Sequence, residues 1–212
     1  MWIVRFILLG VLGVLVWLDS FLLRRRRQYS GLVENRIFNV GIVITHLAAS
    51  YLVVILPPSG GWAARPAWMQ HPNVCVAFAT VGSALVCAGI VLKLLALKYR
   101  RAIGLQGSQA GLVTSGVYRY FRHPICTGVL WIALGLALLT RNPDGLLVFP
   151  AVFVAYLVQV SFEEKDDLGV RFGEQYRAYK RVTKMFGPVW LWSLLLAILL
   201  LIFGIARTVA IS

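Results

Sequence analysis

Residues 122–164 read RHPICTGVLWIALGLALLTRNPDGLLVFPAVFVAYLVQVSFEE. Two apolar runs, roughly 124–140 and 146–162, are joined by Arg-Asn-Pro-Asp-Gly, a turn sequence. Each run approaches the ~20 residues that cross a bilayer as a helix. The stretch predicts a tight helical hairpin in lipid. A basic cluster opens it and an acidic pair closes it.

Further apolar runs lie outward from the hairpin, at roughly 2–23, 38–56, 74–97 and 188–206. Of the 212 residues, 59% are hydrophobic and 14% charged. Soluble domains run near 45–50% apolar and about 25% charged. The expected fold is all-α, a polytopic transmembrane bundle of about six spans, with a cytoplasmic pocket formed by a loop and a post-span helix. Three parts are expected: N-terminal transmembrane helices (1–97), a core of loop, hairpin and cytoplasmic helix (98–187), and a C-terminal transmembrane helix (188–212). The first run is too long for a signal-peptide core and lacks a small-x-small cleavage site, so it reads as a retained span.

The net charge of +13 would suggest nucleic acid in a soluble protein. Here the basic residues sit in alternate loops. Arg24–Arg27 and Arg36 follow the first run; Lys98, Arg100, Arg101, Arg119 and Arg122 follow the third. Lys165, Arg171, Arg177, Lys180, Arg181 and Lys184 follow the fifth, so these three loops hold 16 of the 21 Lys and Arg residues. The positive-inside rule places them in the cytoplasm and both termini outside. That reading makes the chain a multi-pass protein, in a plasma or inner membrane rather than the endoplasmic reticulum, with no nucleic-acid partner. Leu56–Asn73, rich in Pro, Gly and Trp, reads as an interfacial loop. Cys75, Cys87 and Cys126 have no metal-ligand spacing, and no metal site is expected.

Two cytoplasmic segments, Lys98–His123 and Glu163–Pro188, are large enough to hold a site. Pro124 suits the first position of a helix, where its missing N–H costs nothing. Arg122 and His123 then stand at the positive helix start, an anion site. The alternative is a snorkelling arginine in an interfacial aromatic belt. At the other end, Glu163 and Glu164 close a helix whose dipole they oppose. Glu164 has no local cation, since Val160, Ser161, Asp167 and Leu168 occupy the positions three and four away. Its partner must be Arg122 or a ligand. Asp167 has Arg171 four positions on and reads as structural. Phe172, Tyr176 and Tyr179 recur at helical spacing as one aromatic face, which more often packs than binds. A zwitterion fits between the segments, carboxylate toward Arg122 and His123 and cation toward Glu164; S-adenosylmethionine has that charge pattern. Within the spans, Lys93 is close enough to the cytoplasmic end to snorkel, and Asp19 can pair with Arg24–Arg27. His46 reads as a hydrogen-bonded packing residue that could line an acceptor pocket.

The sequence LVTSGVYRYFRHP…TG, the hairpin, and then EE…L…FGEQYRAYKRV resemble the isoprenylcysteine carboxyl methyltransferase family, related to the phospholipid methyltransferases. The resemblance covers about Gly111 to Val182. It implies S-adenosylmethionine as cofactor and a lipophilic small-molecule or lipid-modified substrate reached through membrane lipids. It implies that Leu112, Val113 and Tyr118 lie along the cofactor, that His123 and Pro124 contact it, and that Glu164 is its carboxylate partner. Arg122 and Glu163 take supporting roles, and Gly128 is the small residue allowing close backbone approach. Cys126 stands where the family has tyrosine, so one hydroxyl contact is missing. Val160 stands where the carboxyl methyltransferases place a substrate arginine, which favours a neutral or lipid-like acceptor. Transfer of a sulfonium methyl relies on positioning and desolvation. Should the acceptor need deprotonation, Arg122 and His123 are nearest, with His123 the histidine able to assist. Two other readings remain open: a nicotinamide-dependent membrane reductase, since sterol reductases share RHP-containing ends, and a degenerate non-catalytic membrane protein.

Overall fold

The computed structural model describes residues 1–24, 36–59, 61, 65–102 and 111–209. In chain order these form α1 (Trp2–Arg24), α2 (Arg36–Ile55), a short α3 (Ala67–Gln70), α4 (Pro72–Ala102) and a 3-10 turn (Gly116–Arg119). There follow α5 (Pro124–Leu139), α6 (Pro143–Glu163), a π-wound turn (Glu164–Leu168), α7 (Gly169–Val182) and α8 (Val189–Val209). The described residues are helical apart from loops and one isolated parallel bridge, Phe121 with Lys184. The expected all-α class holds. The long helices fall on the six apolar runs. Trp2–Leu22, Pro72–Tyr99 and Pro143–Val182 are long and apolar enough to cross a membrane; Val40–Ile55, Pro124–Leu139 and Val189–Ile205 are apolar but shorter. Outward-facing side chains such as Ile3, Leu147 and Leu201 are exposed. So much exposed apolar surface suits lipid, not water, and the chain is an integral membrane protein.

Helix α6 does not end at the acidic pair. It passes through the π turn into α7 without a break in helical winding. The expected conflict between Glu163, Glu164 and a helix end is therefore absent, because the carbonyls there are bonded onward. Gly169 N–H closes the wide turn on the Glu164 carbonyl. A Cβ at Gly169 would stand 2.8 Å from that oxygen. The real irregularity comes later, at Gly173, where φ is 49° and ψ is −121°.

Glycines set how α4 and α5 meet. A Cβ on Gly89 would lie 2.6 Å from the Gly128 carbonyl oxygen, and one on Gly135 would lie 2.6 Å from that of Gly82. The two backbones touch with no side chain between them, as small residues permit in membrane helices. This contact holds the start of α5, and with it Arg122 and His123, against α4.

The turn after α5 is the expected hairpin. Arg141 takes φ 48°, Asn142 follows, and Pro143 opens α6. Asn142 is fully buried. Its Nδ2 donates to the carbonyls of Val54 and Leu56 at 2.7 and 2.6 Å. Arg5, also fully buried, donates to Leu56 and Pro57 at 2.6 and 2.9 Å and pairs with Asp144 at 3.3 Å. Ser59 donates to Asp144 Oδ2 through both N–H and Oγ at 2.8 Å. This knot ties the starts of α1 and α6 to the end of α2. The main core lies between α1, α2, α5 and α6, around Val53, Leu130, Val152, Tyr156 and Val160.

Candidate functional site

The site is built where the segment before α5 meets the chain after α7. Residues 121–123 run beside 184–185 as a short parallel pair. Arg122 N–H donates to the Lys184 carbonyl at 2.9 Å and His123 N–H to that of Met185 at 3.1 Å. Pro124 then starts α5 as expected, with His123 at the cap. Backbone pairing thus fixes both residues before their side chains engage.

Those side chains converge on Glu164. Arg122 Nε donates to Glu164 Oε1 at 2.8 Å. His123 Nε2 lies 3.1 Å from the same oxygen, and His123 Nδ1 lies 3.3 Å from Glu163 Oε2. Lys180 Nζ lies 2.7 Å from Glu164 Oε2. Arg122 Nη1 also donates to the carbonyls of Thr183 and Lys180, the latter at 3.1 Å. Glu164 is 4% exposed and His123 7%. The Glu163 and Lys180 side chains are far more open, at 40% and 53%.

These contacts decide protonation. Burial pushes the Glu164 carboxyl up, but hydrogen bonds from His123 and Lys180 and the Arg122 charge outweigh it. The group is held well below the usual carboxylate range. Burial pushes the His123 imidazole down, yet the bonds to Glu163 and Glu164 prevail and its pKa is raised. A ring with a carboxylate at each nitrogen donates from both and is an imidazolium.

Glu164 therefore takes its cations from elsewhere in the chain, as its local spacing requires. Arg122 is one; His123 and Lys180 are the others. The structure differs on one point. The basic helix start and the acidic pair touch directly, so no ligand lies between Arg122 or His123 and Glu164. With no bilayer water to screen it, a buried carboxylate draws its counter-ions into contact.

The remaining expected residues fall into two groups. Val113 and Tyr118 are buried against Ala96 of α4, with Tyr99, Val117 and Ile125 around them; Leu112 is half-buried alongside. Gly116, at φ 60°, leaves the room the Tyr99 ring occupies. Tyr179 Oη donates to the Tyr118 carbonyl at 2.5 Å, tying this segment to α7. Gly128 and Cys126 lie elsewhere. Gly128 faces Gly89 and Lys93 of α4, so its close approach is helix to helix. Cys126, half-buried, packs on the main core. Residues 103–110 of the expected cytoplasmic loop, and Arg25–Arg27, lie outside the described residues.

The aromatic run behaves as packing. Tyr176 and Tyr179 are buried with their rings edge to face. Phe172 lies before the Gly173 break, under the Arg171 guanidinium. Asp167 and Arg171 pair at 3.4 Å, as their spacing predicts. Asp19 departs from expectation: its carboxylate meets Gln159 and His46 rather than the arginine run. Lys180 was not singled out because it stands far from Glu164 in sequence and carries no local signal.

Residues 77–175 match the family model of the phospholipid methyltransferases. The chain is also similar to protein-S-isoprenylcysteine O-methyltransferases. It is 37% identical over 70 residues to that of Xenopus laevis, covering 33% of this chain and 24% of the relative. It is 38% identical over 69 residues to form A of Arabidopsis thaliana, covering 32% and 35%. It is 34% identical over 70 residues to the Homo sapiens protein, covering 33% and 25%. The matched stretch thus spans a quarter to a third of these relatives. No solved structure matches the chain. The family model runs from the glycine-packed α4 through the hairpin to the Glu163–Glu164 pair and α7, and by it the chain belongs to the isoprenylcysteine and phospholipid methyltransferase family.

Proposed function

We propose that this chain is an S-adenosylmethionine-dependent methyltransferase acting on a lipophilic acceptor held in the membrane. We further propose that the six apolar helices all span, with both termini outside and the Glu164 cluster at the cytoplasmic face. The methyltransferase names of the family and relatives support this reading over a reductase or a degenerate protein.

The charge of the cluster carries the proposal. Arg122, His123 and Lys180 face two carboxylates, Glu163 and Glu164, leaving one positive charge over. That excess fits the carboxylate of an amino-acid-like cofactor. Glu163, the more open carboxylate, suits its ammonium. The donor set therefore fits S-adenosylmethionine, which supplies an electrophilic methyl when bound. Buried Glu164 holds Arg122, His123 and Lys180 in place. Leu112, Val113, Tyr118 and Pro124 form the apolar wall, with Cys126 one turn along α5. His123, protonated and held on both sides, acts as a positioning cation with Arg122. It is not a base, since its ring has no free lone pair.

The relatives are named for isoprenylcysteine. Val160, where those enzymes would carry an arginine, is fully buried. A carboxylate acceptor has no cation there, so a neutral or lipid-like acceptor is the better fit.

The test is binding of S-adenosylhomocysteine to purified protein. Glu164→Ala should weaken it at least ~10-fold, about 1.4 kcal/mol, through loss of order in three cations. An unchanged affinity, or binding of NADPH instead, would overturn the assignment.

A further inference from the structure

A second polar cluster lies apart from the ion pairs at Glu164. Asp19 of α1, His46 of α2 and Gln159 of α6 meet inside the bundle. Asp19 Oδ2 accepts a hydrogen bond from Gln159 Nε2 at 2.9 Å and stands 3.6 Å from His46 Nε2. His46 is 5% exposed. Its other ring nitrogen, Nδ1, lies 3.1 Å from the Ile42 carbonyl oxygen. A carbonyl only accepts, so this contact assigns the hydrogen to Nδ1 and leaves a lone pair on Nε2. Neither His46 Nε2 nor Gln159 Oε1 has a hydrogen-bond partner among the described residues, and both atoms are buried. Unpaired buried acceptors are costly. Here two of them adjoin a carboxylate, a group that also only accepts.

Beside the cluster runs an apolar cleft of about 430 Å³ between α1 and α6. Val16, Trp17, Ser20, Phe21, Val158 and Phe162 line it. Its volume is that of a small-ligand pocket. Ser20 and Val158 are the chain neighbours of Asp19 and Gln159, so polar cluster and cleft share one helix pair. Phe162 directly precedes Glu163, and α1 packs on the π turn that begins at Glu164. The cleft therefore leads toward the ion-pair cluster.

We propose that this is where the methyl acceptor binds: its apolar chain in the α1–α6 cleft, and a hydrogen-bond-donating head on His46 Nε2, Gln159 Oε1 and Asp19. The head is a hydroxyl, phenol or amine. A carboxylate head finds no donor there and is repelled by Asp19. This inference rests on the methyltransferase reading for calling the ligand an acceptor, and narrows its class. Buried Val160, in place of a cation, points the same way.

The probe is a photoreactive long-chain alcohol, added to the full-length protein in lipid nanodiscs and mapped by mass spectrometry. Saturable labelling is expected on the α1 and α6 peptides that hold Trp17 and Phe162. Hexadecanol and hexadecylamine should suppress it, and hexadecanoate should not. His46→Phe should lower it about fivefold, the worth of one hydrogen bond. His46→Gln, which keeps an acceptor, should retain most of it. Equal competition by hexadecanoate, or His46→Phe labelling like the wild type, overturns the proposal. Should His46→Phe not fold, Gln159→Leu gives the same reading, and labelling at the wild-type level overturns it. S-adenosylhomocysteine binding on the same nanodiscs separates the failures. An unlabelled cleft with intact cofactor binding sinks this inference alone; no cofactor binding sinks the methyltransferase reading beneath it.

Discussion

Lys180 Nζ sits 2.7 Å from Glu164 Oε2, though sixteen positions separate them on one helical arm. Unbroken helix would carry Lys180 about 24 Å away. The contact needs a fold in the arm, and Gly173, with φ 49° and ψ −121°, supplies it. The carboxylate thus reaches a cation that no local spacing offers.

Lys180→Ala should therefore act on binding more than on folding. The side chain is half exposed, so its ion pair contributes less than about 1 kcal/mol to stability. Its charge belongs to the positive excess, and S-adenosylhomocysteine affinity should drop about fivefold. Lys180→Arg should restore most of it. Calorimetric titration of the two variants reads the difference.

Gly173→Ala tests the fold in the arm. No side chain or backbone stands within 4 Å of a Cβ there, so the cost is conformational alone. A non-glycine residue at this φ and ψ costs about 1–3 kcal/mol. Thermal unfolding should shift down by that much, and cofactor affinity should fall with it as Lys180 leaves Glu164. A variant as stable and as tight as the wild type would place the bend elsewhere.

The pH dependence follows from two opposite shifts. His123 is raised from 6.5, so its contribution is full below 6.5 and is lost as pH climbs through the higher folded value. Glu164 is lowered from 4.5, so its contribution is full above 4.5 and is lost as pH falls through the lower folded value. Both are present between 4.5 and 6.5, and the plateau extends beyond each limit. His123→Gln should destabilise the protein on this plateau and match the wild type at alkaline pH. A difference that persisted into alkali would mean the ring stabilises by packing, not charge. Melting curves across pH decide it.

Topology reporters check the six-span arrangement. A fusion after Lys184 should report cytoplasm, and one in the Arg141–Asp144 turn should report the outside. The reverse pattern would place the Glu164 cluster on the wrong face for a cytoplasmic cofactor.

Helix existence, the hairpin and the Pro124 start were readable from hydropathy and proline placement, which are local signals. The Arg122–Glu164 pair was readable too, because an acidic residue without a near cation must find a distant one. What stayed hidden depended on the third dimension. Asp19 met Gln159 and His46 because α1 crosses α2 and α6 there, which charge counting along the chain does not see. Gly128 looked like a ligand contact because a small residue in a motif has two uses, and only the position of Gly89 distinguishes them. The acidic pair looked like a helix end because charge against a dipole is a stop signal, yet Gly169 let the winding widen and continue.

Asn142 carries a mechanical consequence. Its two bonds to the last carbonyls of α2, with Arg5 and Asp144 beside them, clamp three helices at the end remote from Glu164. A bundle pinned at one end spreads like the jaws of a peg: movement is smallest at the clamp and grows with distance from it. Any widening between α1, α2 and α6 that admits a lipid chain must then be greatest beside Glu163 and Glu164. The knot at the turn thereby sets which end of the protein can breathe.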